Sequence, residues 1–234
     1  MQAASQMKLT RGQIIQQLID SKAFRTYLEI GVFKGKNFLP IRAERKIGVD
    51  PAFRIKLSRR LGWLFRNATN LKAEYFEQTS DSFFQNVAPG LIQKSSLDVC
   101  LVDGMHEYEY ALRDVEHALE YLQQDGVIIM HDCNPASAQA GCTFEQWKAG
   151  NFAWDWNGDV WKAILHLRSL RNDIDVFVLD TDMGLGVVAK RPPQQQLNFT
   201  KEQIQALTYD DLAANRASWL NLKPAPYIFS YFGI

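Results

Sequence analysis

The stretch Thr26-Tyr27-Leu28-Glu29-Ile30-Gly31-Val32-Phe33-Lys34-Gly35-Lys36-Asn37, closed further on by Lys46-Ile47-Gly48-Val49-Asp50, decides the fold. An apolar run that breaks into glycines, a following helix, and a second apolar run that ends in an acid make a β-α-β unit around a nucleotide-type ligand. Gly31 and Gly35 allow a tight turn, and the helix expected after Asn37 would offer free backbone N–H groups. Asp50 stands about twenty residues beyond the turn, where a carboxylate can accept hydrogen bonds from both ribose hydroxyls.

Outward from this unit, short apolar runs at Tyr27 to Val32, Lys46 to Val49, Ala73 to Phe76, Leu97 to Val102 and Gly126 to Met130 suit buried parallel strands. Helical patterns separate them. Tyr108 to Gln123 carries the apolar stripe Ala111, Val115, Ala118, Leu119 and Leu122, with Glu109 and Arg113 as an i,i+4 pair on the solvent side. Asp175 to Leu179 and Gly186 to Lys190 are close enough for an antiparallel hairpin. The expected fold class is therefore α/β: a Rossmann-like three-layer sandwich with a mostly parallel seven-stranded sheet and a C-terminal antiparallel hairpin.

The expected organisation is an N-terminal helical cap over residues 1–25, the cofactor domain over 26–191, and a linker with a helical, aromatic tail over 192–234. Thr10 is the expected N-cap of a helix through Asp20. The aromatic end, Tyr227, Phe229, Tyr231 and Phe232, is expected to pack on its own domain or on a homodimer partner.

The glycine turn discriminates between ligands. The G-x-G-x-x-G spacing of dinucleotide sites is absent, because Phe33 stands where the second glycine would admit a pyrophosphate. Glu29 places a carboxylate at the end of the strand, which suits a cationic ligand. S-adenosylmethionine has an ammonium, a sulfonium and no phosphate. An NAD-dependent oxidoreductase and a non-catalytic cofactor-binding module are the alternatives, and a helix-capping turn beside a surface Asp is the purely structural one.

Leu28-Glu29-Ile30-Gly31-Val32-Phe33-Lys34-Gly35 resembles motif I of class I S-adenosylmethionine-dependent methyltransferases, and Ile47-Gly48-Val49-Asp50-Pro51 resembles the acidic motif that follows it. Thr79-Ser80-Asp81-Ser82-Phe83-Phe84 is similar to the adenine-side loop. Leu101-Val102-Asp103-Gly104-Met105-His106-Glu107-Tyr108-Glu109 resembles the V-D-G-x-H-x-Y-E signature of methyltransferase domain family 24, and the segments Gly126 to Pro135 and Gly158 to Ala163 agree. The likeness runs from about Thr26 to Lys190. It implies that Glu29, Gly31 and Gly35 contact the methionine part, Asp50 the ribose, Ser80 and Asp81 the adenine edge, and that Asp103 closes the methionine end. Phe33 departs from the glycine or small residue of many relatives.

Asp103 and His106 follow one strand, His131 and Asp132 the next. Such a group can supply a general base or hold a divalent metal. His106 is the first choice for the base of methyl transfer, with Asp103 and Asp132 as its catalytic partners; the structural alternative makes it a cap for the helix starting near Tyr108. Catechol-type methyltransferases hold magnesium with acids at these positions and an adjacent Asn, but here Cys133 follows Asp132, a poor magnesium ligand. Asn134 is the possible substitute, and the metal is left open. The long connection from Asn134 to Asn157, with Trp147, Trp154 and Trp156, is a candidate lid or binding loop. The expected activity is methyl transfer to a small-molecule acceptor, a saccharide or specialised metabolite.

Composition agrees with a globular enzyme. Of 234 residues, 47% are hydrophobic, and 26 basic residues balance 26 acidic ones, which argues against nucleic acid and against an anionic membrane as partner. Cys100, Cys133 and Cys142 read as free thiols of a reducing compartment, the cytoplasm. Met1 to Lys8 lacks a charged stretch followed by an apolar one, and no later run approaches about 18 apolar residues, so neither secretion nor membrane insertion is expected.

Overall fold

A computed structural model describes residues 9–150 and 156–234, among which eight strands form one sheet. They are β1 (Thr26–Ile30), β2 (Arg45–Val49), β3 (Glu74–Phe76), β4 (Leu97–Val102), β5 (Leu122–Met130), β6 (Asp175–Leu179), β7 (Leu185–Ala189) and β8 (Leu222–Lys223). Their order is β3-β2-β1-β4-β5-β7-β6-β8. The first five in sequence are parallel neighbours, and β7 is antiparallel to both β5 and β6. The chain lays strands outward from β1 to β3, then returns to place β4 on the other side of β1. That reversal opens a crevice at the carboxyl ends of β1 and β4.

Helices α1 (Arg11–Lys22), α2 (Leu57–Arg66), α3 (Ser80–Asn86), α4 (Ala88–Leu91), α5 (Tyr108–Tyr121), α6 (Phe144–Ala149), α7 (Trp161–Leu170), α8 (Lys201–Ala206), α9 (Tyr209–Trp219) and α10 (Tyr227–Phe232) surround the sheet. The strands are apolar on both sides because both faces are covered. On one face Ile14, Ile15 and Leu18 of α1 and Ile228 and Phe232 of α10 pack with Tyr27, Val99 and Leu101. On the other, Ala111 and Val115 of α5, Trp161 and Ile164 of α7 and Leu212 of α9 pack with Leu28, Cys100 and Ile128. Helices α1 and α10 thus share one core of the central sheet. Thr10 begins α1 as expected: its hydroxyl accepts from Gln13 N–H, and the Gln13 side chain accepts from Thr10 N–H in return.

Four local expectations change. The sheet gains β8, a two-residue strand parallel to β6 and too short to leave a sequence pattern. No helix follows the glycine loop; residues 33–40 make consecutive turns. Pro40 has no N–H to donate and disfavours helical backbone at Leu39, so a helix starting at Asn37 has no room to propagate. Leu122 leaves the α5 stripe and starts β5. Arg113 pairs with Asp81 at 3.0 Å rather than with Glu109, whose carboxylate lies 3.8 Å from Lys201.

The tail is tied down by a buried charge. Arg168, on α7, donates through Nη1 to the carbonyls of Ser218 (2.7 Å) and Trp219 (2.6 Å) at the C-terminal end of α9, where the helix dipole favours a cation. Arg168→Leu is expected to cost about 2 kcal/mol in urea unfolding and to expose the α9 segment to limited proteolysis. Unchanged stability would show that the tail is held by its apolar contacts alone.

Candidate active site

At the carboxyl edge of the sheet, consecutive backbone hydrogen bonds set the first residue beyond each strand. Asp50 N–H donates to Phe76 C=O (3.2 Å), Gly31 to Val49 (2.9 Å), Asp103 to Ile30 (2.9 Å) and His131 to Val102 (3.0 Å). The four residues therefore stand in one row, and all of them line a cleft of about 800 Å³. Gly31 is required by this packing. It has φ +88°, and a Cβ there would lie 1.9 Å from the Asp103 carbonyl oxygen. The close approach that the glycine permits is to the neighbouring strand end.

At one end of the row, both Asp50 oxygens accept backbone hydrogen bonds, Oδ2 from Phe33 and Oδ1 from Ala52, each at 2.7 Å. Each oxygen keeps a lone pair for a further donor. Phe33 has φ +45°, a left-handed conformation that costs a non-glycine residue roughly 1–3 kcal/mol, and its ring is 51% exposed at the cleft. The turn itself favours glycine at this position. Ser80 and Asp81 also line the cleft, at the start of α3. Asp81 is engaged by Arg113, and the Ser80 hydroxyl bonds to Asp114. Buried Asp114 also lines the cleft, and burial pushes its carboxyl up to about 7.

Glu29 and Gly35, expected at the methionine end, are not among the residues lining the cleft. Gly35 turns the loop with φ +66°. Glu29 is 1% exposed on the α1-side face of the sheet, where its carboxyl accepts from Tyr27 Oη at 2.5 Å. Burial pushes it up to about 8, despite the opposing effects of the Tyr27 hydrogen bond, Arg11 and Lys46. Lys46 on β2 is likewise buried, is brought down to about 7 by burial, and donates to Asn70 Oδ1 at 2.6 Å. The alternation of the strand explains the placement: Glu29 shares a face with Tyr27 and points into the sandwich.

At the other end of the row, four expected residues come together. His106 Nδ1 lies 3.0 Å from Trp156 C=O and 3.2 Å from Asp132 Oδ2, and its Nε2 lies 3.5 Å from Asp103 Oδ1. Its ring stacks on Trp156, with centroids 5.5 Å apart and planes at 27°. It does not cap α5, because Tyr108 N–H at that helix start donates to Asp159 at 2.7 Å. Gly158, with φ +66°, makes room for it: a Cβ would lie 1.5 Å from the His106 carbonyl oxygen. His131 Nδ1 lies 2.8 Å from Asp132 Oδ2 and 3.2 Å from Asp103 Oδ1. Asp132 also accepts from the Asn157 amide and has φ +63°.

The sequence reading missed Arg11 and Asp182. Arg11, the first residue of α1, places Nη2 3.4 Å from Asp103 Oδ2 and Nη1 against His131 Nε2. Asp182, in the β6–β7 turn, accepts from Arg11 N–H at 2.8 Å and lies 3.4 Å from its Nη1. Three carboxylates thus face three basic groups. Burial opposes ionisation of Asp103, but its hydrogen bonds to His106 and His131 hold it well below the ordinary range. Burial also opposes the charge on His131, yet hydrogen bonds to Asp103, Asp132 and Asp182 push it up to about 11. His106 is raised for the same reason, its carboxylate neighbours outweighing burial. His117 and His166 lie elsewhere, stacked on Phe84 and bonded to Tyr108 Oη respectively.

Asp103, His131 and Asp132 place one ligand atom each within 4.8 Å of one another, a grouping able to hold a divalent ion. The surroundings fit one poorly. Arg11 presses its guanidinium onto Asp103 and His131, Cys133 is buried with Sγ directed to the His131 carbonyl at 3.5 Å, and Asn134 bonds to Arg216 and Asp180. A fixed side-chain cation already neutralises the group. In the loop above it, Trp156 lines the cleft and packs with Phe144 and Trp147, while Trp154 lies outside the described residues.

A signal for Asp114 was present, an acid at position i+3 from Ala111 on the buried stripe of α5. None pointed to Arg11 or Asp182, which become neighbours only through the tertiary fold.

Residues 28–133 match methyltransferase domain family 24. Among curated proteins none matches the chain in sequence. Its fold is similar to that of an O-methyltransferase from Bacillus cereus solved with SAH, at 16% identity and TM-score 0.55 over 80% of this chain and 84% of that one. The O-methyltransferase TomG from Streptomyces achromogenes, involved in tomaymycin synthesis and solved with SAM, gives 13% and 0.57 over 80% and 83%. A putative caffeoyl-CoA O-methyltransferase from Staphylococcus aureus gives 16% and 0.54 over 78% and 84%. At these identities the likeness to solved structures is one of fold; together with the family match over residues 28–133 it supports an S-adenosylmethionine-dependent methyltransferase of class I, with the row Gly31, Asp50, Asp103, His131 at the edge of the matched segment's sheet.

Proposed function

We propose that the protein moves the methyl group of S-adenosylmethionine to an oxygen of a small molecule, a saccharide or specialised metabolite. The observation that carries this reading is the single cleft with Asp50 and Ser80 at one end and Asp103, His106 and Trp156 at the other. Asp50 would take the ribose hydroxyls, Ser80 and Asp81 the adenine edge, and Asp103 the ammonium. The aromatic surface of Trp156 and Phe144 supports an acceptor with a flat or sugar face.

In the reaction the S–CH₃ bond breaks as the O–CH₃ bond forms, and the acceptor proton passes to a base. His106 would be that base. Its Nδ1–H donates to the Trp156 carbonyl, which leaves Nε2 as the basic nitrogen. Asp132 positions both imidazoles, and Arg11 supplies a fixed positive charge beside Asp103.

S-adenosylhomocysteine is expected to raise the melting temperature and NAD to leave it unchanged; the reverse would return the dinucleotide reading. His106→Ala should lower turnover by about 10²-fold with cofactor affinity retained, and near-normal turnover would remove His106 from the mechanism. A base must be neutral to accept a proton, and although burial favours the neutral form of His106, its carboxylate neighbours outweigh this and raise its pKa above that of an ordinary imidazole. The rising limb of kcat/KM should therefore lie above the range of an unperturbed histidine, and a limb below that range would contradict the assignment. Mn²⁺ titrated by electron paramagnetic resonance should stay free beside the wild-type chain and be bound by Arg11→Gln. Equal binding by both would show that the guanidinium does not fill the Asp103–His131–Asp132 group.

A further inference from the structure

Helix α2 contributes no buried residue to either core. Leu57, Leu61 and Phe65, at i, i+4 and i+8, form a stripe on its outer side and are 70%, 47% and 92% exposed. Leu71, in the turn of 3₁₀ helix that follows, is 72% exposed. The helix rests on the body through Trp63 and Leu64, both half-buried, and through Arg60, whose guanidinium lies 4.4 Å from the centre of the Tyr75 ring. An apolar stripe held outward on a docked helix is costly in water unless something covers it.

The charge around the stripe is of one sign. From Pro51 to Ala73 the chain carries Arg54, Lys56, Arg59, Arg60, Arg66 and Lys72 and no Asp or Glu. The balance of 26 basic and 26 acidic residues conceals this segregation. A second copy of the chain packed stripe to stripe would bring these cations together, which like-charge repulsion opposes. A nucleic acid would use the cations and leave Leu57, Leu61 and Phe65 in water. An anionic bilayer satisfies both features, with the apolar side chains at the acyl boundary and the long cationic side chains reaching the headgroups. Phe33, exposed at the rim of the cleft, joins the same segment through Arg54 N–H, which donates to its carbonyl at 2.8 Å.

We infer that α2 is an interfacial anchor that docks the protein on an anionic membrane surface. Among the described residues no helix is long and apolar enough to cross a membrane, so the attachment is peripheral. The test is flotation of the full chain with vesicles of phosphatidylcholine alone and of phosphatidylcholine mixed with phosphatidylglycerol. Binding should be confined to the mixed vesicles and weaken with salt. It should fall by about tenfold or more in L61D/F65D and also in K56E/R59E. These side chains are exposed, and a binding-competent fold is checked in each variant by the thermal shift with S-adenosylhomocysteine. No flotation, equal flotation with neutral vesicles, or loss in neither variant would overturn the inference. Self-association through this face in analytical ultracentrifugation, without vesicle binding, would assign it to a second copy and overturn it equally.

Discussion

The four hydrogen bonds that close the carboxyl edge, from Asp50 to Phe76, Gly31 to Val49, Asp103 to Ile30 and His131 to Val102, are the constraint on which the site depends. Each fixes the first residue beyond a strand to the last residue of its neighbour. Side chains leaving that edge inherit the sheet's spacing of about 4.8 Å between strands. Register supplies the alignment, with Ile30 opposite both Val49 and Val102, and Val102 opposite Met130. A slip by one residue would turn the row inward. The apolar cores on the two faces are what prevent it.

Inside this frame, polar groups are divided between two environments. Glu29 and Lys46 lie within the α1-side core, where burial moves both toward their uncharged forms. At the edge, Asp103 remains ionised because His106, His131 and Arg11 face it, and Asp132 lies between His106 and His131. Removing one partner would leave a buried charge uncompensated, a far larger penalty than the pairing itself repays. Phe33 at one end, and Asp132, Asp182 and Met183 at the other, have positive φ, and Phe33 and Asp132 are each hydrogen-bonded to a neighbour.

The strands from β1 to β7 were legible because strands covered on both faces leave unbroken apolar runs, and glycines with a distal acid mark the turn that joins them. That Asp50, Asp103, His106 and Asp132 line one cleft was legible because each stands within four residues of the end of such a run. The misplacement of Glu29 has a plain cause: sequence adjacency to Gly31 suggested the ligand, whereas the two-residue period of the strand sends its side chain inward. Arg11 and Asp182 could not be read, since nothing local separates them from any capped helix start or hairpin turn. The anchor helix escaped for a different reason, because a whole-chain charge count averages away a run of six cations.

The pairing of Arg11 with Asp182 joins residues 171 apart, and that of Arg11 with His131 residues 120 apart. During synthesis the strand ends carrying Gly31, Asp50, Asp103 and Asp132 all emerge before the hairpin turn does. At roughly 5–20 residues per second, the interval before Asp182 follows lasts seconds. Contacts of such long range are also the ones whose loop closure is slowest. The strand ends that line the cleft therefore leave the ribosome before the residue that completes the charge balance at one end of it, and that balance is set only once the β6–β7 turn has followed.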